Sequence, residues 1–73
     1  MYLTDLSDGD LAVVEKTPDG EAGEKLLANG ICEGTEIEKI SASPLGNIVT
    51  ISAGGKFYAV TNDIAEKLAV RAK

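Results

Sequence analysis

Short apolar runs alternate with clusters of turn-forming residues along the whole chain. The clusters are Asp8-Gly9-Asp10, Thr17-Pro18-Asp19-Gly20, Asn29-Gly30, Glu33-Gly34, Ser43-Pro44-Leu45-Gly46-Asn47 and Gly54-Gly55. Punctuation at this density, with apolar stretches of strand length between, predicts a mostly-β domain. Leu11–Glu15 reads as the first strand and Thr35–Ile40 as the second. In the second, Glu36 and Glu38 share one face and Ile37 takes the other, and the apolar face shifts at Ile40. That predicts a bulge near Lys39 or a strand end there. Ile48–Ser52 is β-branched at four of its five positions and forms the third strand. Gly54-Gly55 can adopt the positive φ angles of a two-residue hairpin loop, so Lys56–Val60 returns beside the third strand. A short strand, Ala69–Arg71, closes the chain.

Two segments carry helical signals. Glu21–Asn29 places Ala22 and Leu26 at i, i+4 and stops at Gly30. With Gly30 as a left-handed closing residue, Leu26 and Ile31 become the apolar pair that meets in a Schellman cap. Glu21 and Glu24 sit in the first turn, at the positive end of the helix dipole. Further on, Asp63-Ile64-Ala65-Glu66 reads as a capping box with Asp63 as N-cap, opening a turn or two that ends near Leu68. Five short strands with small helical insertions cannot cover both faces of a flat sheet. Curling into a barrel buries one face and removes the open edges. The predicted fold is therefore mostly β: residues 1–73 as a single small SH3-like β-barrel of about five strands. One short helix is inserted after the first strand, and a helical turn lies near the C-terminus. The predicted core is Leu11, Val13, Leu26, Ile37, Ile40, Val49, Ile51, Tyr58, Val60 and Leu68.

Composition narrows the chemistry. The chain has 73 residues, 12 acids against 7 bases, and a formal net charge of −5. That balance argues against nonspecific nucleic-acid binding and against docking on anionic lipid, both of which draw on clustered Lys and Arg. With no histidine and one cysteine, His-based acid–base catalysis, a Cys-His pair, an internal disulfide and a Cys/His zinc site are excluded. Met1–Asp10 carries aspartates, no base and no long apolar run, so no signal peptide is visible, and no stretch approaches a membrane span. The expected location is the cytoplasm.

Longer motifs then become legible. Leu26-Leu27-Ala28-Asn29-Gly30-Ile31-Cys32-Glu33-Gly34-Thr35-Glu36-Ile37 resembles the central motif of the FeoA family, the ferrous iron transport protein A. That family carries a Leu-rich helix, then Gly-Leu/Ile, two variable residues, Gly-Thr/Met and an alternating strand. Ser43-Pro44-Leu45-Gly46-Asn47 followed by Ile48-Val49 is similar to the family's next motif, a Pro-Leu/Phe-Gly turn before the third strand. Leu3, Leu6 and Gly9 match at the start, and Ile64-Ala65, Leu68 and Val70 at the end. The resemblance implies an SH3-like, cytoplasmic, non-enzymatic protein that assists the GTP-binding membrane Fe(II) transporter FeoB. It also implies kinship with the C-terminal domain of diphtheria-toxin-repressor-type, metal-dependent regulators. The chain departs from many members in charge, because Glu24 and Ser41-Ala42 stand where basic residues are common.

The candidate chemistry is sparse. Asp5, Asp8 and Asp10 offer hard oxygen ligands, but their spacing does not fit an EF-hand loop, and the default reading is a solvated turn. Carboxylates alone bind Fe(II) weakly and with poor selectivity. Cys32 reads as a small, partly buried side chain between helix cap and strand. Gly54-Gly55-Lys56 lacks the spacing of a phosphate loop. Glu33, Glu36 and Glu38 form an acidic stripe whose default is a solvated face. No catalytic, cofactor or metal residues are expected. The predicted partner-binding residues are Ser43, Pro44, Leu45 and Gly46, with Leu45 either projecting as a knob or folding back to plug the barrel mouth. The predicted partner is the cytoplasmic part of a FeoB-type transporter, without nucleic acid and without direct membrane insertion. The alternatives are a stand-alone SH3-like regulatory domain acting on a repressor, and a weak transition-metal-binding protein.

Overall fold

A computed structural model describes all of residues 1–73. Five strands form one antiparallel sheet: β1 (Leu11–Lys16), β2 (Glu36–Ala42), β3 (Ile48–Ala53), β4 (Lys56–Thr61) and β5 (Ala69–Ala72). Their spatial order is β4-β3-β2-β1-β5. A 3₁₀ turn at Leu3–Asp5 precedes the sheet, α1 (Glu21–Ala28) is inserted between β1 and β2, and α2 (Asn62–Ala65) links β4 to β5. No helix is long and apolar enough to cross a membrane.

The strands stand where the periodicity places them, each ending one or two residues later, with β2 also starting one residue later, at Glu36. The predicted bulge is present, because the β2–β3 register slips between Lys39 and Ser41 and leaves Ile40 without a partner. The hairpin is also as expected: Ala53 pairs with Lys56, while Gly54 (φ 59°) and Gly55 (φ 81°) supply the turn.

The end of α1 shows local sequence dictating geometry. Gly30 adopts φ +79°. The Gly30 N–H donates to the Leu27 carbonyl and the Ile31 N–H to the Leu26 carbonyl, each at 2.9 Å. Those are the two bonds of a Schellman cap, and Leu26 and Ile31 are both buried, as the motif requires. The C-terminal helical turn differs from expectation. It begins at Asn62 with Thr61 as N-cap, which makes no side-chain capping bond, and it ends at Ala65. Asp63 lies inside the first turn and does not cap. Asn62 Nδ2 bonds Glu66 Oε1 at 2.9 Å instead.

One core of 14 residues fills the concave side of the sheet. Six of the predicted core residues are there: Leu26, Ile37, Val49, Ile51, Val60 and Leu68. Four differ. In β1 the inward residues are Ala12 and Val14, while Leu11 is 45% exposed and Val13 is half-buried. Ala12 stands opposite Ile37 and Val14 opposite Val70, and these pairings settle the phase of a four-residue apolar run whose own pattern is ambiguous. Ile40 is half-buried because the bulge turns it out of phase, and Tyr58 packs at the core's rim. Leu3, Leu6, Ile31, Ala53, Ala65 and Val70 complete the core.

Closure leaves one edge open. The outer edge of β5 is covered by the N-terminal segment, where Val70 N–H donates to the Met1 carbonyl (2.9 Å) and Leu3 N–H to the Leu68 carbonyl (3.0 Å). β4 pairs with β3 on one side only.

Candidate partner-binding surface

The Ser43–Asn47 turn joins β2 to β3 and is held almost entirely by Ser43. Its N–H donates to the Ile48 carbonyl, and its carbonyl accepts from the Gly46 N–H, both at 2.8 Å. Its hydroxyl donates to Asn47 Oδ1 (2.7 Å) and accepts from the N–H groups of Asn47 and Ile48, each at 3.2 Å. Pro44 presets φ for the first central position of the turn, and Gly46 takes φ +75° at its close. The Ser43 hydroxyl is thus consumed inside the turn, where it positions the tip. Leu45 lies at that tip, 89% exposed, the most exposed large apolar side chain in the molecule. It projects outward and does not plug the barrel.

The three N-terminal aspartates have separate structural duties. Asp5 Oδ2 accepts from the Tyr2 N–H and Asp10 Oδ2 from the Ser7 N–H, both at 2.8 Å. Asp8 pairs with the Lys39 ammonium at 3.4 Å. Lys39 itself is largely buried and donates to the Leu6 carbonyl at 2.8 Å, while backbone bonds join Gly9 N–H to the Lys39 carbonyl and Lys39 N–H to the Asp10 carbonyl. The Asp8–Asp10 turn is therefore strapped onto the β2 bulge. No three His, Cys, Asp or Glu side chains converge as a metal-holding group.

Cys32 departs from expectation. It is exposed, with its Sγ 3.6 Å from the Thr35 hydroxyl. The tight Gly30–Thr35 connection, in which Thr35 Oγ1 also donates to the Gly30 carbonyl (3.3 Å), holds the thiol at the surface rather than under it. In the acidic stripe, Glu36 and Glu38 do share the outer sheet face, opposite Val13 and Leu11. Glu36 accepts from the Lys73 ammonium at 2.6 Å, so its charge is partly neutralised. Glu33 is exposed.

One surface feature is invisible in the sequence. A cavity of about 270 Å³ lies between the last turn of α1 and β4, lined by Leu26, Ile31, Tyr58, Val60 and Ile64, with Lys25 among its polar walls. The residues come from three separate elements, so no local motif announces it. Of the three aromatic residues, only Tyr58 reaches this cavity. Phe57 points to the other sheet face and is 70% exposed.

Solved structures share this architecture. The FeoA protein of Chlorobium tepidum superposes with a TM-score of 0.91 at 25% identity, over 99% of this chain and 70% of that one. The zinc-complexed FeoA of Stenotrophomonas maltophilia, described as a prokaryotic SH3 domain protein, gives 0.84 at 24% identity over 97% of this chain and 89% of that one. T. acidophilum IdeR shares the fold, with a TM-score of 0.89 at 20% identity, but the match covers 34% of that chain and all of this one. No curated protein sequence matches the chain significantly. The fold is thus the SH3-like barrel expected from the turn pattern, and the FeoA domain model matches residues 1–72. The chain belongs to the FeoA family, associated with ferrous iron transport.

Proposed function

We propose that this domain is a non-enzymatic cytoplasmic accessory of ferrous iron uptake. In this reading it binds the cytoplasmic part of a FeoB-type GTP-binding transporter and modulates Fe(II) passage without entering the bilayer. The supporting observation is Leu45. An apolar side chain 89% exposed on a turn stabilised by its own hydrogen bonds contributes almost nothing to the fold. Buried under a partner, such a residue acts as an anchor, and the preset turn limits the entropy lost on docking. The Pro44-Leu45-Gly46 tip is the contact, and Ser43 holds it in place. Glu33 and Glu38 add long-range attraction toward a basic partner surface, screened by salt. The non-enzymatic reading rests on the absence of any nucleophile–base pair and on the engagement of the aspartates in separate turn contacts.

The test is Leu45→Asp, assayed for thermal stability and for Fe(II) uptake in a strain lacking the native copy. Lost uptake with an unchanged melting temperature is the expected result. Full uptake with normal folding removes the turn from the interface. An anaerobic Fe(II) titration separates the metal-binding alternative: micromolar binding abolished by Asp8→Ala with Asp10→Ala would replace the accessory reading.

A further inference from the structure

The cavity between α1 and β4 carries a local charge opposite to the −5 of the whole chain. Its floor is apolar, built by Leu26, Ile31, Val60 and Ile64. Lys25 is the one charged residue in its walls, and no carboxylate lines it. The ion pairs of the molecule join Lys39 to Asp8 and Lys73 to Glu36, so the exposed Lys25 ammonium has no partner. The acids close to these walls in sequence are turned elsewhere or engaged. Glu24 lines the groove on the opposite flank of α1, beside Pro18 and Leu27. Glu66 accepts from Asn62 Nδ2, and neither Glu21 nor Asp63 reaches the cavity.

The backbone acceptors at this end of α1 are already used. The Lys25 carbonyl accepts from Asn29 Nδ2 at 3.1 Å, the Leu26 carbonyl from the Asn29 and Ile31 N–H groups, and the Leu27 carbonyl from Gly30. The negative end of the helix dipole is thereby offset, and the Lys25 charge dominates beside it. Tyr58 and Thr61 add hydroxyl groups to the same walls. The volume of about 270 Å³ falls at or below the ~300–1,000 Å³ of drug-sized ligand sites and suits one large side chain. Charge then selects the occupant. A Lys or Arg carried beside an apolar residue meets Lys25, and a run of acids is opposed by the net −5. A single carboxylate gains the local contact, while the long-range repulsion on it is screened beyond about 8 Å at physiological salt.

We propose that this cavity takes an apolar side chain of a partner protein whose neighbouring residue carries a carboxylate. The apolar side chain fills the space over Leu26, Ile31, Val60 and Ile64, and the carboxylate accepts from the Lys25 ammonium at the rim. Burial of the apolar side chain supplies affinity. The ion pair is worth little at an exposed rim and supplies the choice between segments. Glu33, Glu36 and Glu38 do not line the cavity, so the acidic stripe of β2 is a separate surface. The cavity does not depend on Leu45 or on the identity of the transporter.

The probe is a capped peptide, Ala-Ser-Leu-Glu-Ala-Ser, titrated into the whole domain labelled for amide and methyl NMR. Saturable shifts centred on the methyl groups of Leu26, Ile31, Val60 and Ile64 are expected. Replacing the peptide's Leu by Ser abolishes them. Replacing its Glu by Gln weakens binding about threefold, the scale of a partly exposed ion pair. Lys25→Gln, at an exposed position of α1, removes the preference for Glu over Gln. Lys56→Gln makes the same change in net charge at a residue outside the lining, and it keeps the preference. No saturable shifts, shifts centred elsewhere, or equal binding of the Glu and Gln peptides by the unaltered domain would overturn the proposal. So would an equal loss of preference in both variants, which would mark a net-charge effect. Binding of 4-methylpentanoate as tight as that of the peptide would also overturn it, because the site would then serve a small carboxylate and not a protein segment. None of these outcomes bears on the Leu45→Asp uptake test.

Discussion

Gly23→Ala sets helix propensity against tertiary packing, and the structure decides the sign. Gly23 lies inside α1 with ordinary negative φ, where alanine is usually better by about 1 kcal/mol. On propensity alone the substitution stabilises. A β-carbon built at Gly23, however, falls 2.0 Å from the Pro18 carbonyl oxygen and 3.2 Å from the Pro18 carbonyl carbon. Non-bonded heavy atoms rest at roughly 3.5–4.0 Å, so helix and loop must separate by more than about 1 Å. The obstacle is backbone, and it is held at both ends. Pro18 lies only two residues beyond the end of β1, and α1 is anchored by buried Leu26 through the cap at Gly30. Forced displacement of this kind costs typically 1–3 kcal/mol, and a clash this deep belongs at the upper end. After the propensity gain, net destabilisation is about 1–2 kcal/mol. For a domain of this size that lowers the melting temperature by roughly 4–16 °C. Thermal and urea unfolding followed by circular dichroism measure it directly. An unchanged or raised melting temperature would show that the loop yields freely and that the close approach has no energetic weight.

Other expectations concern single contacts. Gly30→Ala meets no atom within 4 Å but must hold φ +79°, so it should cost about 1 kcal/mol, visible as a lower urea midpoint with an unchanged slope. Gly30→Val should cost more, because a branched side chain resists positive φ further. Lys39→Met retains the apolar stem but strands the Leu6 carbonyl and leaves Asp8 unpaired. The expected loss is about 1–2 kcal/mol, with faster amide exchange at Gly9, whose N–H bonds the Lys39 carbonyl. Full protection of Gly9 in that variant would contradict the strapped-turn account.

Legibility from sequence tracked the range of the interaction. Strand positions, the Gly54-Gly55 hairpin, the bulge beside Lys39 and the Gly30 cap all depend on neighbours within a few residues, and each stands as the pattern indicates. The Pro44-Leu45-Gly46 turn was legible for the same reason. Whether Leu45 pointed out or in was not, because that depends on the depth of the barrel mouth.

Composition and local order determined that this is a small mostly-β domain without histidine chemistry, and they carried the family motifs in order. Only the tertiary structure decided the phase of β1. In Leu11-Ala12-Val13-Val14 either face is apolar, and the choice falls to Ile37 and Val70 on the two neighbouring strands. The same holds for Cys32, turned outward by bonds spanning Gly30 to Thr35, and for Asp63, which loses the cap position to Thr61 when β4 runs one residue further. The open β4 edge and its cavity are the extreme case. They exist because α1 approaches the β4–α2 segment, distant from it in sequence, without closing on it, and no local pattern of side chains encodes a gap between elements.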